Sequence, residues 1–194
     1  MRVLLISDEE SDYIWDHFDR ARFAGVELIL SCGDLKRAYL EYLVSMIPAP
    51  LFYVPGNHDK GFVREPPEGC VSVDGRIETY KGLRILGFGG CRSQRLAAYE
   101  YTDEVMTKRV RAARRALKQA SGADILLTHA PALGVGDGDA FHAGFSAFLP
   151  LQEMVRYHFY GHQHTSYGRG PGEFRRGDTL VKNACGYHLL DIEG

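Results

Sequence analysis

Apolar runs of strand length recur along this chain, and five of them stop at a polar cluster. Val3-Leu4-Leu5-Ile6 leads into Asp8-Glu9-Glu10, and Glu27-Leu28-Ile29-Leu30 into Gly33-Asp34. Leu51-Phe52-Tyr53-Val54 leads into Gly56-Asn57-His58-Asp59, Asp124-Ile125-Leu126-Leu127 into Thr128-His129, and Phe159-Tyr160 into Gly161-His162-Gln163-His164. Carboxylates and imidazoles beside buried strands are costly unless something pairs with them. A bound metal ion does so. The clusters therefore read as one metal site assembled from five strand ends.

Helix-length segments separate the first three runs. Asp12 can cap a helix reaching about Phe23, with Ile14, Trp15, Phe18 and Phe23 as its apolar stripe. A second helix, about Arg37–Ile47, closes at Pro48 and Pro50. This β-α-β-α-β order predicts parallel strands with helical crossovers. In open α/β sheets the loops at the carboxyl ends of parallel strands converge on the ligand.

The middle reads as short strands, Cys70–Val73, Arg76–Tyr80 and Arg84–Phe88, separated by the hairpin signals Asp74-Gly75 and Lys81-Gly82. A helix over about Thr102–Ala120 carries Met106, Val110, Ala113 and Leu117 on one face and Lys108, Arg111, Arg115 and Lys118 on the other. Pro150–Tyr157 reads as helical and Thr179–Ile192 as a final hairpin. With 194 residues and no repeat or linker, the chain is expected to form one α/β domain over residues 1–194.

A net charge of −2 argues against a surface built throughout for nucleic acid while leaving room for a local patch, and the basic helix stripe reads as a solvated face ahead of a nucleic-acid contact. The four apolar residues before Asp8 are too few for a signal peptide, and no stretch is long enough to span a membrane. A cytoplasmic protein without a membrane partner is expected. Cys32, Cys70, Cys91 and Cys185 have no regular spacing and read as free, small core residues. Oligomeric state is open, and a homo-oligomer is compatible with all of this.

The donor set is three carboxylates (Asp8, Glu10, Asp34), the amide of Asn57 and three imidazoles (His129, His162, His164). That is enough for two cations sharing a carboxylate. Asp8 and Glu10 lie two residues apart, as do His162 and His164, so an extended chain would point each pair to one side. Mixed nitrogen and oxygen ligation suits zinc, manganese or iron rather than calcium. Two cations about 3.5–4 Å apart stabilise both oxygens of an in-line displacement, and a water shared between them ionises near neutral pH to become the nucleophile. Arg92, after the Gly87-Phe88-Gly89-Gly90 loop, and His142, near Asp137 and Asp139, are candidates for the substrate cleft, each weighed against an ordinary loop residue.

The ordered set Asp-x-Glu, Gly-Asp, Gly-Asn-His-Asp, His and Gly-His-x-His resembles the calcineurin-like metallophosphoesterase superfamily. Thr128-His129-Ala130-Pro131, Gly136-Asp137 and His142-Ala143-Gly144 are similar to its small phosphodiesterase-like members. The resemblance implies a four-layer α/β/β/α sandwich. It implies one cation on Asp8, residue 10, Asp34 and His164, and a second on Asp34, Asn57, His129 and His162. His58, oriented by Asp59, would contact phosphate or act as the general acid, with Asn57 also near the substrate. The implied activity is hydrolysis of a small phosphodiester or phosphomonoester.

The chain departs from that pattern at Glu10, where the family usually carries histidine. Glu10 either ligates, favouring manganese or iron ahead of zinc or magnesium, or hydrogen-bonds loop groups and leaves the first site weak. Glu9 is expected to point into solvent. The competing function is a binding scaffold on the same fold that has lost efficient catalysis. A nucleotide-binding module is disfavoured, because no strand is followed by GxGxxG or GxxxxGKS.

Overall fold

A computed structural model describes residues 1–95, 97–135, 142–164 and 172–193. Its first half follows the expected alternation: β1 (Arg2–Ser7), α1 (Asp12–Asp16), β2 (Val26–Ser31), α2 (Arg37–Met46), β3 (Leu51–Tyr53) and β4 (Cys70–Ser72). Then come β5 (Ile77–Tyr80), β6 (Leu83–Phe88), β7 (Cys91–Arg92), β8 (Glu100–Tyr101), α3 (Asp103–Gln119) and β9 (Ile125–Thr128). The chain closes with α4 (Leu149–Gln152), β10 (Tyr157–Tyr160), β11 (Glu173–Arg176), β12 (Thr179–Asn183) and β13 (Gly186–Asp191).

Two main sheets result. One runs in the order β13-β1-β2-β3-β4, with β1 to β4 parallel and β13 antiparallel at the edge. The other runs β11-β12-β10-β9-β6-β5. Alternation along β1 divides its side chains between two cores. Val3 and Leu5 join Leu28, Leu30, Ile85, Ile125, Leu127 and Phe159 in a cluster drawing on both sheets. Leu4 and Ile6 pack instead with Ile14, Tyr39, Leu40 and Leu43 from α1 and α2. A third cluster sets Leu86, Phe88 and Leu126 against Met106, Val110 and Ala113 of α3 and Leu151 of α4. Helices thus cover the outer face of each sheet while the inner faces meet, the order of layers that an α/β/β/α sandwich requires.

Three local expectations are corrected. The first helix ends at Asp16 rather than near Phe23, and its last turn has no basic residue to complement the helix dipole. Phe18, beyond that end, is held by aromatic packing on Tyr42 rather than by helix continuation. The Pro150–Tyr157 segment is helical only through Gln152.

The third correction concerns the hairpins. Lys81-Gly82 does turn β5 antiparallel onto β6, with both residues at positive φ as a two-residue hairpin turn demands. Asp74-Gly75 instead carries the chain from β4 in one sheet to β5 in the other. The same holds at the C-terminal end: β12 pairs with β10 and β11, whereas β13 pairs with β1. The expected final hairpin is a crossover between sheets through Ala184-Cys185, and Cys185 forms a β-bridge with Ser7 beside the first polar cluster.

Candidate metal centre

The five clusters do meet. Asp8 and Asp34 each adopt the left-handed backbone region, φ 63° and 56°, as does His162 at 67°. A non-glycine residue there is uncommon and turns the chain sharply. The extended-chain expectation therefore fails at both i,i+2 pairs. His162 turns toward His129, with ring centroids 4.9 Å apart, while His164 lies by Asp8 and Glu9.

Asp34, His129 and His162 bring one ligand atom each to within 4.8 Å of one another. His129 Nε2 lies 3.3 Å from Asp34 Oδ2 and 3.1 Å from Asn57 Oδ1. Its Nδ1 sits 2.7 Å from the buried carbonyl of Cys32, so it is the nitrogen that carries a donated proton. That leaves Nε2 facing the Asp34 and Asn57 oxygens, the atom His129 would offer a cation on giving up its proton there. Burial works to push the imidazole pKa down, but the Asp34 and Asp8 carboxylates raise it. Burial likewise works to raise Asp34, yet His129, the His58 backbone N–H and the His58 ring hold it below the carboxylate range. The pocket thus already stabilises positive charge. Its buried anionic oxygen, amide oxygen and oriented imidazole fit a divalent cation.

Tight loops keep this geometry. A Cβ at Gly56 would fall on the Asp34 carboxylate, and one at Gly161 would approach Asp8 Oδ2 to 2.6 Å. Asp59 does not orient the His58 ring. Its Oδ2 accepts from the backbone N–H of Asp34 (2.8 Å) and of Gly56 (2.7 Å), tying the second and third clusters together. Burial raises the Asp59 carboxyl to about 6 despite those bonds. His58 has an exposed side chain (81 %) with its Nε2 4.0 Å from Asp34 Oδ2.

Beside the cluster opens a cleft of about 650 Å³, lined by Asn57, His58, Arg92, Arg95, His142 and His162 among others. Arg92 and His142, the two cleft candidates, both lie on its wall. The nearby Gly136, Asp137 and Asp139 fall outside the described residues.

The family model for calcineurin-like phosphoesterases matches residues 1–166. The chain belongs to this family. Among solved structures, TT1561 of Thermus thermophilus is similar over 98% of this chain and 93% of its own, at 18% identity and a TM-score of 0.64. Vps29 of Chaetomium thermophilum is similar over 100% and 82%, at 16% identity and a TM-score of 0.46. No curated protein matches the chain significantly. At such identities the TT1561 likeness speaks for the fold alone.

Within this phosphoesterase frame the first cluster is arranged differently from the second. Asp8 sits at the end of β1, where its carboxylate accepts from the His162 backbone N–H at 3.0 Å and its Oδ1 lies 3.9 Å from His164 Nε2. Glu10 is turned to other partners. Its Oε2 accepts from the Trp15 indole at 2.8 Å and the Lys36 ammonium at 3.3 Å, while Oε1 accepts from the Lys36 backbone N–H at 3.1 Å. Of the two alternatives for Glu10, hydrogen bonding to loop groups is the one its side chain adopts here. The Lys36 ammonium is largely solvated and adds little. The indole and backbone bonds to a mostly buried carboxylate are worth more. Glu10→Ala is therefore expected to cost about 1–3 kcal/mol of stability and leave bound metal unchanged, checked by urea unfolding and elemental analysis. A drop in metal content would return Glu10 to the ligand set.

Sequence reasoning missed two residues here. Glu9, expected in solvent, has Oε1 3.5 Å from His164 Nδ1. Cys185, expected as core packing, joins Glu9 and His164 in a second group of ligand atoms within 4.8 Å. No local signal marks Cys185, because its position depends on β12 and β13 belonging to different sheets.

Proposed function

We propose that the protein is a metal-dependent phosphoesterase hydrolysing a small phosphodiester or phosphomonoester. The observation that carries this reading is the convergence of Asp34, His129 and His162, with Asn57, beside a cleft lined by His58, Arg92 and Arg95. Asp34, Asn57, His129 and His162 would hold one divalent cation, and Asp8 and His164 stand where a neighbouring one would be held. Bound cations supply Lewis acidity at phosphorus and a water ionised near neutral pH. The chain's own groups do the rest. Arg92 and Arg95 offer fixed positive charge to the phosphoryl oxygens, which need it as charge redistributes. His58, at the open side of the cleft, is placed to give a proton to the leaving oxygen.

The test is hydrolysis of aryl phosphodiesters and phosphomonoesters by metal-stripped protein resupplied with manganese, iron, zinc or magnesium. Activity should disappear on chelation and return on reloading. Near-zero bound metal and no turnover with any cation would favour the second reading, a binding scaffold on this fold. The specific observation behind that reading is Glu10, whose carboxylate is taken up by Trp15 and Lys36.

A further inference from the structure

We propose that the neighbouring cation of this centre is held through His164 by Glu9 and Cys185, and is a thiophilic divalent metal of the zinc class. Their ligand atoms lie within 4.8 Å of one another, and each comes from a different part of the chain. Glu9 follows the turn after β1, His164 follows β10, and Cys185 lies in the crossover between β12 and β13. Ligand atoms held at about 2.0–2.3 Å from one tetrahedral ion stand roughly 3.3–3.8 Å apart. Glu9 Oε1, 3.5 Å from His164 Nδ1, already has that spacing.

The frame around Cys185 is built rather than incidental. The Asn183 side chain accepts from the Cys185 backbone N–H at 2.9 Å and donates to the Gln163 carbonyl at 2.7 Å. One amide thus fixes Cys185 against the residue preceding His164. The Cys185 carbonyl lies 3.1 Å from His188 Nε2, and the residue bridges to Ser7. Glu9 reaches the group because Asp8 turns the backbone at φ 63°, sending Glu10 away toward Trp15.

Chemistry separates this group from the Asp34 cluster, which has only nitrogen and oxygen donors. A thiolate selects softer ions, zinc above manganese or magnesium. On binding, the sulfur–metal bond forms as the thiol proton is released to solvent, so uptake is accompanied by proton release. The assignment rests on the phosphoesterase reading of a neighbouring cation, and its occupancy can be read without turnover.

Cobalt(II) is the probe. Metal-stripped, reduced full-length protein titrated with cobalt should develop a thiolate-to-cobalt charge-transfer band in the near ultraviolet, discharged by one equivalent of zinc. Cys185→Ser should abolish the band, whereas Asp34→Asn, which alters only the other cluster, should keep it. Glu9→Gln, at a half-exposed position that threatens no packing, should weaken cobalt binding at least about tenfold. Absence of the band in the wild-type protein overturns the proposal, as does its persistence in Cys185→Ser. A band lost instead in Cys91→Ser would place the thiolate in the cleft and overturn it too. Unchanged cobalt affinity in Glu9→Gln would reduce Glu9 to orienting His164, and the three-ligand site would fall.

Discussion

Asp34→Asn should lower aryl-phosphodiester turnover by about three orders of magnitude, a loss of roughly 4 kcal/mol of transition-state stabilisation. The size follows from how many groups depend on this one carboxylate. Its Oδ2 lies 3.3 Å from His129 Nε2, and its Oδ1 accepts the His58 backbone N–H at 2.8 Å. It is the only anionic oxygen in the group formed with His129 and His162. Replacing it with an amide keeps the shape and removes the charge, so a divalent cation loses its main electrostatic partner. The Oδ1 acceptor survives in Asn, so the loop carrying His58 should stay in place. Circular dichroism should accordingly be unchanged while bound metal falls. Turnover within tenfold of wild type at unaltered metal content would remove Asp34 from the centre of the mechanism.

Gly56→Ala is a geometric companion to that variant, because the new Cβ would occupy the space of the Asp34 carboxylate itself. Closeness to strand ends is also why so much of this site is legible in sequence. The candidate metal donors sit one to four positions beyond strands whose apolar runs are unmistakable, and the parallel order brings such ends together. Asp34, His129 and His162 need no more than that. Residues whose direction depends on one backbone dihedral are another matter. Asp8 at φ 63° reverses the expected roles of Glu9 and Glu10, and nothing in Asp-Glu-Glu announces a left-handed turn. Asp59 lies in the expected loop but serves different partners, since its neighbour in sequence is His58 while its neighbours in space are the N–H groups of Asp34 and Gly56. Cys185 is out of reach altogether. A hairpin and a crossover between sheets can carry the same alternating pattern, and only the pairing of β13 with β1 brings that thiol to His164.

His58→Ala should show an effect that depends on the leaving group. For an alkyl phosphodiester, whose alkoxide departs poorly, kcat should fall about 10²–10⁴-fold, the usual range for a positioned general acid. For a nitrophenyl ester, whose phenolate needs little help, the fall should be less than about tenfold. The structure motivates the contrast. The His58 ring is 81 % exposed, its Nε2 stands 4.0 Å from Asp34 Oδ2, and Asp59 is committed to backbone groups. It can therefore exchange protons with water and reach a leaving group at the cleft mouth, without belonging to the ion-holding cluster. Were its role only to bind phosphate, both substrates would lose affinity alike, raising KM with the kcat ratio unmoved. Equal kcat losses on the two esters would likewise take the proton-donor role from His58. A large alkyl and a small aryl effect requires a group that acts when the P–O bond breaks, and within the cleft His58 combines that exposure with a titratable nitrogen beside Asp34.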